Sequence, residues 1–388
     1  MPSLDATCLP GDWPAGTYAA RAMTPEGPCA IALLEGVPFD MTPAFGTVSR
    51  WLNEPDPVAA IRARGVPLAL DLSAALANSA HEARDPARPW LLAPADLQAV
   101  KACGVTYVRS MLERVIEERC RGDASQAEAV RGEVRAIIGN DLSAVRPGSP
   151  EAMRLKAALV ERGWWSQYLE VGIGPDAEIF TKCQPMAAVG PGARIGVHPV
   201  SQWSNPEPEA VLAVGAEGRI LGAMLGNDVN LRDVEGRSAL LLGRAKDNNA
   251  SCALGPLLRL FDGGFGLDDV RRAEITLTIE GTDGFRLEET GAVGAISRDP
   301  AEIVAQLIGP HHQYPDGAVL FLGTPFSPTK DRGAPGLGFT HKPGDVVRIA
   351  SPRLGALVNE VDRTDACPPW RFGTGALFES LARRGLPR

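Results

Sequence analysis

Short stretches of alternating apolar and polar residues fill the chain after residue 165, and this period of two predicts strands separated by tight turns. The predicted strands are 194–198, 210–214, 220–225, 274–280 and 346–350, and one helix is predicted at 300–307. A region with so many short strands and so few helices is typical of a β-rich domain.

The pattern before residue 165 is mixed. Prolines and glycines interrupt residues 1–90, which contain predicted strands at 18–23 and 29–34 and a predicted helix at 68–78. Residues 96–121 follow a helical period with a break at Gly104, and two amphipathic helices are predicted at 125–138 and 150–162. We therefore predict an α+β fold. A small N-terminal α/β accessory domain over 1–90 precedes a β-rich domain over 91–388 with covering helices.

Composition narrows the class of protein. The 388 residues include 42 glycines and 33 prolines, which agrees with many tight turns. The net charge of −8, without a run of lysine or arginine, argues against nucleic-acid binding. No apolar stretch approaches the roughly 20 residues that span a bilayer, and no signal peptide is seen. Seven scattered cysteines without a Cys-x-x-Cys pair indicate free thiols in a reducing cytoplasm.

Two glutamates, Glu207 and Glu209, stand one residue apart, each directly after a proline, at the start of the strand predicted at 210–214. Successive side chains of an extended chain alternate faces, so both carboxylates point the same way. The prolines hold φ near its extended value and remove two amide donors, which favours a strand start or a sheet edge.

A third carboxylate, Asp228, follows the returning strand. Pairing Val214 with Arg219 across the turn at 215–218 would set Asp228 opposite Asn205, on the face of both glutamates. Converging carboxylates repel one another and need a cation or raised pKa values. Oxygen ligands favour Mg²⁺, with Mn²⁺ or Ca²⁺ as alternatives. The competing interpretation is a solvated acidic hairpin end.

Three longer strings carry a family resemblance: Pro-Glu-Pro-Glu-Ala-Val-Leu at 206–212, Gly-Asn-Asp-Val-Asn-Leu-Arg-Asp at 226–233, and Ala-Lys-Asp-Asn-Asn-Ala-Ser-Cys-Ala-Leu-Gly-Pro at 245–256. Together they resemble the fumarylacetoacetate hydrolase family, over about residues 165–361. Strings at 104–114, 166–171, 176–182 and 235–242 resemble its sugar-acid branch, the 2-keto-3-deoxy-pentonate dehydratases. The resemblance implies a rolled mixed sheet and a homodimer or homotetramer.

The resemblance also implies roles for individual residues. It makes Glu207, Glu209 and Asp228 the ligands of Mg²⁺, Glu178 the acid/base carboxylate and Lys246 the cation beside the metal.

The resemblance and the helix pattern together give a predicted substrate-binding set, which consists of Lys182, Arg232, Gly323, Thr324 and Ser110. Ser110 enters from the covering helix rather than from the resemblance, together with its neighbours Tyr107, Arg109 and Glu113. The structural alternatives are a Glu178–Lys182 salt bridge, a surface lysine at 246, an ordinary turn threonine at 324, packing helices over 96–121, and Arg232 as a clamp on Asp228.

The implied reaction is the Mg²⁺-dependent dehydration of a 2-keto-3-deoxy-pentonate, of the L-arabinonate or D-xylonate series, to 2,5-dioxopentanoate. One alternative is a hydrolase that cleaves acylpyruvates or 2,4-diketo acids. Such hydrolases use a His/Glu pair on a lid, whereas His81 and Glu82 are adjacent in sequence and not helix-spaced. A non-enzymatic metal- or ligand-binding protein is the third hypothesis. No Gly-x-Ser-x-Gly elbow is present, which argues against serine hydrolysis.

Overall fold

The computed structural model describes residues 4–121, 123, 126–127, 129–132, 145–161, 163 and 165–387, without the side chains of 108–110. Most of the helix predicted at 125–138, and the side chains of Arg109 and Ser110, therefore lie outside the described residues. The mixed α and β content agrees with the predicted fold class.

Eighteen strands are found in the described residues. They are β1 (Thr17–Thr24), β2 (Gly27–Leu34), β3 (Val37–Asp40), β4 (Val66–Pro67), β5 (Trp90–Leu92), β6 (Ala99–Gly104), β7 (Glu178–Cys183), β8 (Arg194–Val197), β9 (Ser204–Asn205), β10 (Pro208–Val214), β11 (Ile220–Asp228), β12 (Asn230–Leu231), β13 (Cys252–Leu260), β14 (Glu274–Glu280), β15 (Arg286–Ala292), β16 (Ala318–Phe321), β17 (Val346–Ser351) and β18 (Gly355–Arg363).

The α-helices are mostly short and lie between the strands or cover them. They are Thr42–Phe45, Val48–Leu52, Pro57–Arg64, Leu72–Ala77, Val108–Cys120, Pro150–Glu161, Gln167–Ile173, Arg232–Glu235, Leu242–Lys246, Leu267–Arg271, Pro300–Leu307 and Thr374–Arg383. Their starts follow local chemistry. The Asp299 side chain accepts a hydrogen bond from the Ala301 amide, and Pro300 occupies the first turn, where no amide donor is needed.

Two large sheets form the body of the molecule. The larger has eleven strands in the order β4-β3-β2-β1-β13-β11-β10-β16-β6-β7, with β5 also paired to β1, and the smaller has the order β15-β14-β17-β18-β8. Parallel pairs (β16 with β6, β18 with β8) occur among antiparallel ones, so both sheets are mixed. No helix among the described residues combines the length and apolar character needed to cross a bilayer.

Strand β10 is buried on both faces, and this places the candidate site. Ala210 and Leu212 belong to the core that also contains the apolar side chains of β14 and β17. Val211 and Ala213 belong to the second core, beneath the N-terminal strands and helices. Glu207 and Glu209 continue the odd-numbered series, so they extend the face of Val211.

Several predicted elements differ from the structure. Residues 99–104, predicted as helix, form β6, because they pair with β16 on one side and β7 on the other, and these tertiary hydrogen bonds outweigh local propensity. The helix predicted from 68 begins instead at Leu72, where the Asp71 side chain caps the Ala74 amide. The helix at 300–307 and the strand at 274–280 have their predicted bounds.

The N-terminal segment shares a sheet with the rest of the chain. Strand β1 pairs with β13, with Tyr18 opposite Arg259 and Ala19 opposite Leu258. Residues on both sides of the predicted boundary at 90 therefore contribute to one hydrogen-bonded sheet, and the boundary itself stays a prediction.

Candidate active site

The acidic hairpin forms as two adjacent central strands. Glu209 of β10 lies opposite Gly226 of β11, and the Asp228 amide donates to the Glu207 carbonyl oxygen at 3.0 Å. Asp228 thus lies opposite Glu207, and all three carboxylates share one face as predicted from the period of two.

The predicted register is wrong by two residues. A bulge between Ala213 and Val214 pairs Val214 with Ile220 instead of Arg219, and Asn205 lies opposite Asn230 instead of Asp228. A slip of two residues preserves the face on which each side chain lies, so the convergence of the acids was predicted correctly from an incorrect pairing.

Glu207, Glu209 and Asp228 form a compact, buried triad. Each offers a carboxylate oxygen, these oxygens lie within 4.8 Å of one another, and no side chain of the three is more than 2% exposed. Burial, with the charges of Asp228 and Glu207, raises the pKa of Glu209 well above its usual range. The Gly323 amide donates to Glu209 Oε2 at 2.6 Å and fixes that carboxylate.

Two buried lysines face the triad. Lys246 Nζ lies 3.0 Å from Asp228 Oδ2 and also contacts Glu207 Oε2. Burial opposes a charge on this amine, but the carboxylates of Asp228, Glu207 and Glu235 raise its pKa above the ordinary value, so it stays an ammonium. Lys182 is fully enclosed, with Nζ 3.1 Å from Asp228 Oδ1 and 3.2 Å from Ser251 Oγ. Its contacts hold Asp228, and its predicted substrate contact stays a prediction.

The helix Val108–Cys120 supplies a cation that was not predicted, Arg114. Its guanidinium contacts Glu207 directly, and its Nη1 lies 2.7 Å from Glu117 Oε2 and 3.0 Å from Glu235 Oε2. Burial opposes its charge, yet the three glutamates raise its pKa above the ordinary value. The sequence feature that could have indicated this role is an arginine placed three residues before a glutamate, on the buried side of an amphipathic helix.

Arg232 binds this same helix. Its Nη2 lies 2.6 Å from Glu117 Oε1, and its guanidinium lies over the Trp203 ring at 4.4 Å from the centroid. A weaker contact joins it to Glu113 at 3.4 Å, and Glu113 in turn pairs with Arg131 at 2.9 Å. Among the described residues its ion-pair partners are Glu113 and Glu117 and do not include Asp228. The structure therefore does not show the alternative in which Arg232 clamps Asp228.

Glu178 begins β7 opposite Gly104, the last residue of β6. A methyl group at position 104 would overlap the Glu178 carboxyl, so the glycine makes room for it. Burial, followed by the charge of Glu235, raises the pKa of Glu178 to about 7, against the opposing effect of Arg114 and Lys246. The half-buried carboxyl therefore has a pKa that favours the protonated form more than that of an ordinary glutamate does.

The remaining predicted binding residues have internal partners. Thr324 Oγ1 donates to the Phe326 carbonyl oxygen at 2.6 Å and lies 3.2 Å from that of Pro208. Gly323 has φ +94°, in the left-handed region that favours glycine, and its amide binds Glu209. Tyr107 is buried, and its hydroxyl donates to the Val293 carbonyl oxygen at 3.3 Å. The contacts of these residues are internal to the protein, and their substrate contacts stay predictions.

The residues present fit a hard divalent cation. Among the described buried side chains, five acids meet four cations in this cluster, namely Glu117, Glu207, Glu209, Asp228 and Glu235 against Arg114, Lys182, Lys246 and Arg232. The excess of acid falls on the triad, where burial, followed by repulsion from Asp228 and Glu207, raises the pKa of Glu209. A doubly charged ion among these oxygens would keep all three carboxylates ionised, and oxygen-only ligands are those that Mg²⁺ prefers.

Comparison with known proteins bears on the part of the chain that holds the triad. Residues 174–362 match the family model described as fumarylacetoacetate (FAA) hydrolase C-terminal. Over these residues, slightly less than half of the chain, the protein is similar to that family. The matched range includes the triad, Glu178, Lys182, Arg232, Lys246 and Thr324, whereas Arg114 and Glu117 come from the helix before it.

Two curated relatives each match about half of the chain's length. One, from Saccharolobus solfataricus and named 2-dehydro-3-deoxy-D-arabinonate dehydratase, is 31% identical over 186 residues, which are 48% of this chain and 59% of the relative. The other, from Haloferax volcanii and named probable 2-keto-3-deoxyxylonate dehydratase, is 30% identical over 194 residues, 50% of this chain and 63% of the relative. Both are named as dehydratases, and the match spans less than two thirds of either.

Solved structures extend the likeness to most of the chain. A 2-keto-3-deoxy-D-arabinonate dehydratase described as complexed with magnesium and 2,5-dioxopentanoate has a TM-score of 0.58 and 21% identity, covering 89% of this chain and 98% of that one. A fumarylacetoacetate hydrolase from Exiguobacterium antarcticum has a TM-score of 0.54 and 16% identity, covering 89% and 99%. At these identities the likeness establishes the fold.

Proposed function

We propose that the chain is a Mg²⁺-dependent hydro-lyase that removes water from a 2-keto-3-deoxy-pentonate and yields 2,5-dioxopentanoate. Two curated relatives are named for dehydratases of this substrate class, and a solved structure with the same fold is described with magnesium and this product. The relatives are named for different members of the class, so the proposal covers the class as a whole.

The observation that carries the proposal is the Glu178 carboxyl, whose pKa responds to the charges of Glu235, Arg114, Lys246 and Glu207 around the triad. Dehydration at C4 needs a group that gives a proton to the departing hydroxyl. Burial and the charge of Glu235 raise the pKa of Glu178 to about 7, so a large fraction of this carboxyl carries a proton at neutral pH. Gly104 leaves room for it at the end of β6. Glu178 is thus the general acid of the proposed reaction.

The triad would hold Mg²⁺, which when bound acts as a Lewis acid for a 2-keto acid. Lys246 remains an ammonium because its neighbouring carboxylates raise its pKa, so it is unsuited to act as the base. Its role is to place positive charge against the oxygen that becomes negative when the C3 proton leaves. Lys182 forms an ion pair with Asp228, and Arg114 forms one with Glu207, so two of the three carboxylates are fixed by cations.

The test is the identity of the product. The full chain is incubated with Mg²⁺ and 2-keto-3-deoxy-pentonate of each C4 configuration, coupled to a 2,5-dioxopentanoate dehydrogenase. We expect NAD(P)⁺ reduction with at least one epimer and its loss in EDTA. Absence of signal with both epimers, together with release of pyruvate from an acylpyruvate, would replace the proposal with a carbon–carbon hydrolase.

A further inference from the structure

A cavity of about 330 Å³ lies away from the triad, between the end of β1, the segment 186–190 and the segment 368–372. Neither the three carboxylates nor Glu178 nor Lys246 lines it. Its volume is at the lower end of the range found for small-molecule sites. Nothing in the proposed dehydration uses it.

The charged side chains that line the cavity are all basic. Its described lining contains no aspartate or glutamate, and its titratable side chains are Arg21, His81, Arg84, Arg194 and Arg371. A cavity with one sign of charge and low-polarity walls concentrates ligands of the opposite sign. This arrangement favours an anion.

Two of these arginines are not neutralised by protein acids. Arg194 pairs with Glu82 and with Asp362, and Arg21 lies 3.7 Å from Asp96. Arg84, in contrast, donates to a single carbonyl oxygen, that of Ser79 at 2.7 Å, and forms no ion pair with any described residue. Arg371 is exposed at the cavity and likewise has no ion pair in the described part of the chain.

Three enclosed nitrogen atoms of the same lining residues lack hydrogen-bond partners in the described structure. They are His81 Nδ1, Arg84 Nε and Arg194 Nε. Buried polar atoms are normally paired, by protein, water or ligand. Because these three nitrogens have almost no accessible surface, the exposed ends of the same side chains, and not these atoms, would contact a ligand in the cavity.

The rest of the lining is apolar and aromatic. Arg84 lies over the Trp90 ring at 5.3 Å from its centroid, and Trp370 and Phe372 line the cavity from the C-terminal segment. Trp370 is 48% exposed, so part of its ring is accessible to a ligand. Flat rings beside a guanidinium favour a planar ligand body with a charged group attached.

We propose that this cavity binds a small organic anion with an aromatic body, of the aryl carboxylate or aryl sulfonate class. Arg84 binds the anionic group, and Trp90, Trp370 and Phe372 contact the rings. The inference does not depend on the proposed dehydration. Asn249 and Ala250 line the cavity and follow Lys246 by three and four residues, so a single segment borders both sites.

The probe for this site is 8-anilinonaphthalene-1-sulfonate, an aromatic monoanion whose fluorescence rises when it is enclosed. Titration of the full chain should saturate at one probe per chain and weaken with added salt. Uncharged N-phenyl-1-naphthylamine, which has the same rings, should bind at least about tenfold more weakly. Mg²⁺ with pyruvate should leave the probe bound, because these ligands belong to the triad.

Variants locate the probe. Arg84→Gln and Trp370→Ala should each weaken binding about tenfold or more. Arg64→Gln is the matched control, since Arg64 also lies over a ring, Phe45 at 4.2 Å, but lines no part of this cavity. Equal binding by all three variants, or displacement of the probe by Mg²⁺ with pyruvate, would overturn the proposal. So would a fall in oligomeric mass, measured by light scattering, in Trp370→Ala, because the cavity would then belong to an interface between copies of the chain.

Discussion

The strand pair β10–β11 and the helix Val108–Cys120 meet at one carboxylate, Glu207, and they differ in how their roles are encoded. The strands bring together Glu207, Glu209 and Asp228 by alternation and pairing, which are local rules. The helix contributes Arg114, two of whose ion-pair partners, Glu207 and Glu235, lie 93 and 121 residues further along the chain. The acids of a site can therefore be visible in sequence while the cations that fix them are not.

The largest effect is expected from the strands. Asp228→Asn removes a charge from the triad and also the carboxylate that Lys182 and Lys246 share, so turnover should fall by more than about a thousandfold, to the assay background. The control is Asp247→Asn, an exposed acid next to Lys246 that should keep its activity. Substantial turnover by Asp228→Asn in saturating Mg²⁺ would remove the triad from the mechanism.

The next effect concerns the general acid. Glu178→Gln keeps the size of the side chain and loses its proton, so turnover should fall about 10²–10⁴-fold while Mg²⁺ affinity is retained. Steady-state kinetics measures the turnover, and a calorimetric titration measures the Mg²⁺ affinity, so the two effects can be told apart. Full turnover with intact metal binding would rule out the assigned role.

The same residue predicts a pH dependence. A general acid must be protonated, and the pKa of Glu178 is raised to about 7, so kcat/KM should fall as pH rises through about 7. The raised folded-state pKa also means that this group stabilises the fold below its unfolded pKa and that this contribution is lost as pH rises through about 7. Unfolding free energies of the wild type and Glu178→Gln, compared from pH 4 to 8, should diverge in that direction. A rate that rises through pH 7 would assign Glu178 as a base.

Removing the buried arginine of the helix Val108–Cys120 should lower both stability and activity. Arg114→Met leaves Glu117, Glu207 and Glu235 without their shared cation, so the free energy of unfolding should fall by about 3–5 kcal/mol. Turnover should fall about 10–100-fold, because Glu207 loses a group that orients it. Arg154→Met, which removes an exposed arginine from another helix, is the control. Equal stability of the two variants in urea would show that the buried network contributes little.

The smallest effect is expected from a substitution that tests how strictly the Glu178 carboxyl must be placed. Gly104→Ala introduces a methyl group that overlaps the Glu178 carboxyl, so turnover should fall about tenfold with little change in the KM of the substrate. Gly243→Ala is the matched control, because nothing lies near its added methyl group. An unchanged kcat in Gly104→Ala would show that the carboxyl tolerates displacement.

How much was predictable follows from the range of the interactions. The acidic face and five of the twelve strands after residue 165 follow from the period of two, and a register error of two residues left the face intact. Strand β6 was missed because its partners, β16 and β7, are distant in sequence. Gly104 was interpreted as a helix break, yet its missing side chain makes room for a carboxyl 74 residues away. The family resemblance supplied the roles of Glu178 and Lys246, which spacing alone could not.

The most direct test of the central claim is a calorimetric titration of Mg²⁺ into the wild type and into the variant Glu207→Gln/Glu209→Gln/Asp228→Asn. The account predicts one ion per wild-type chain and none in the variant, with both proteins folded by circular dichroism. Equal Mg²⁺ binding by the two proteins, or none by the wild type, would contradict it.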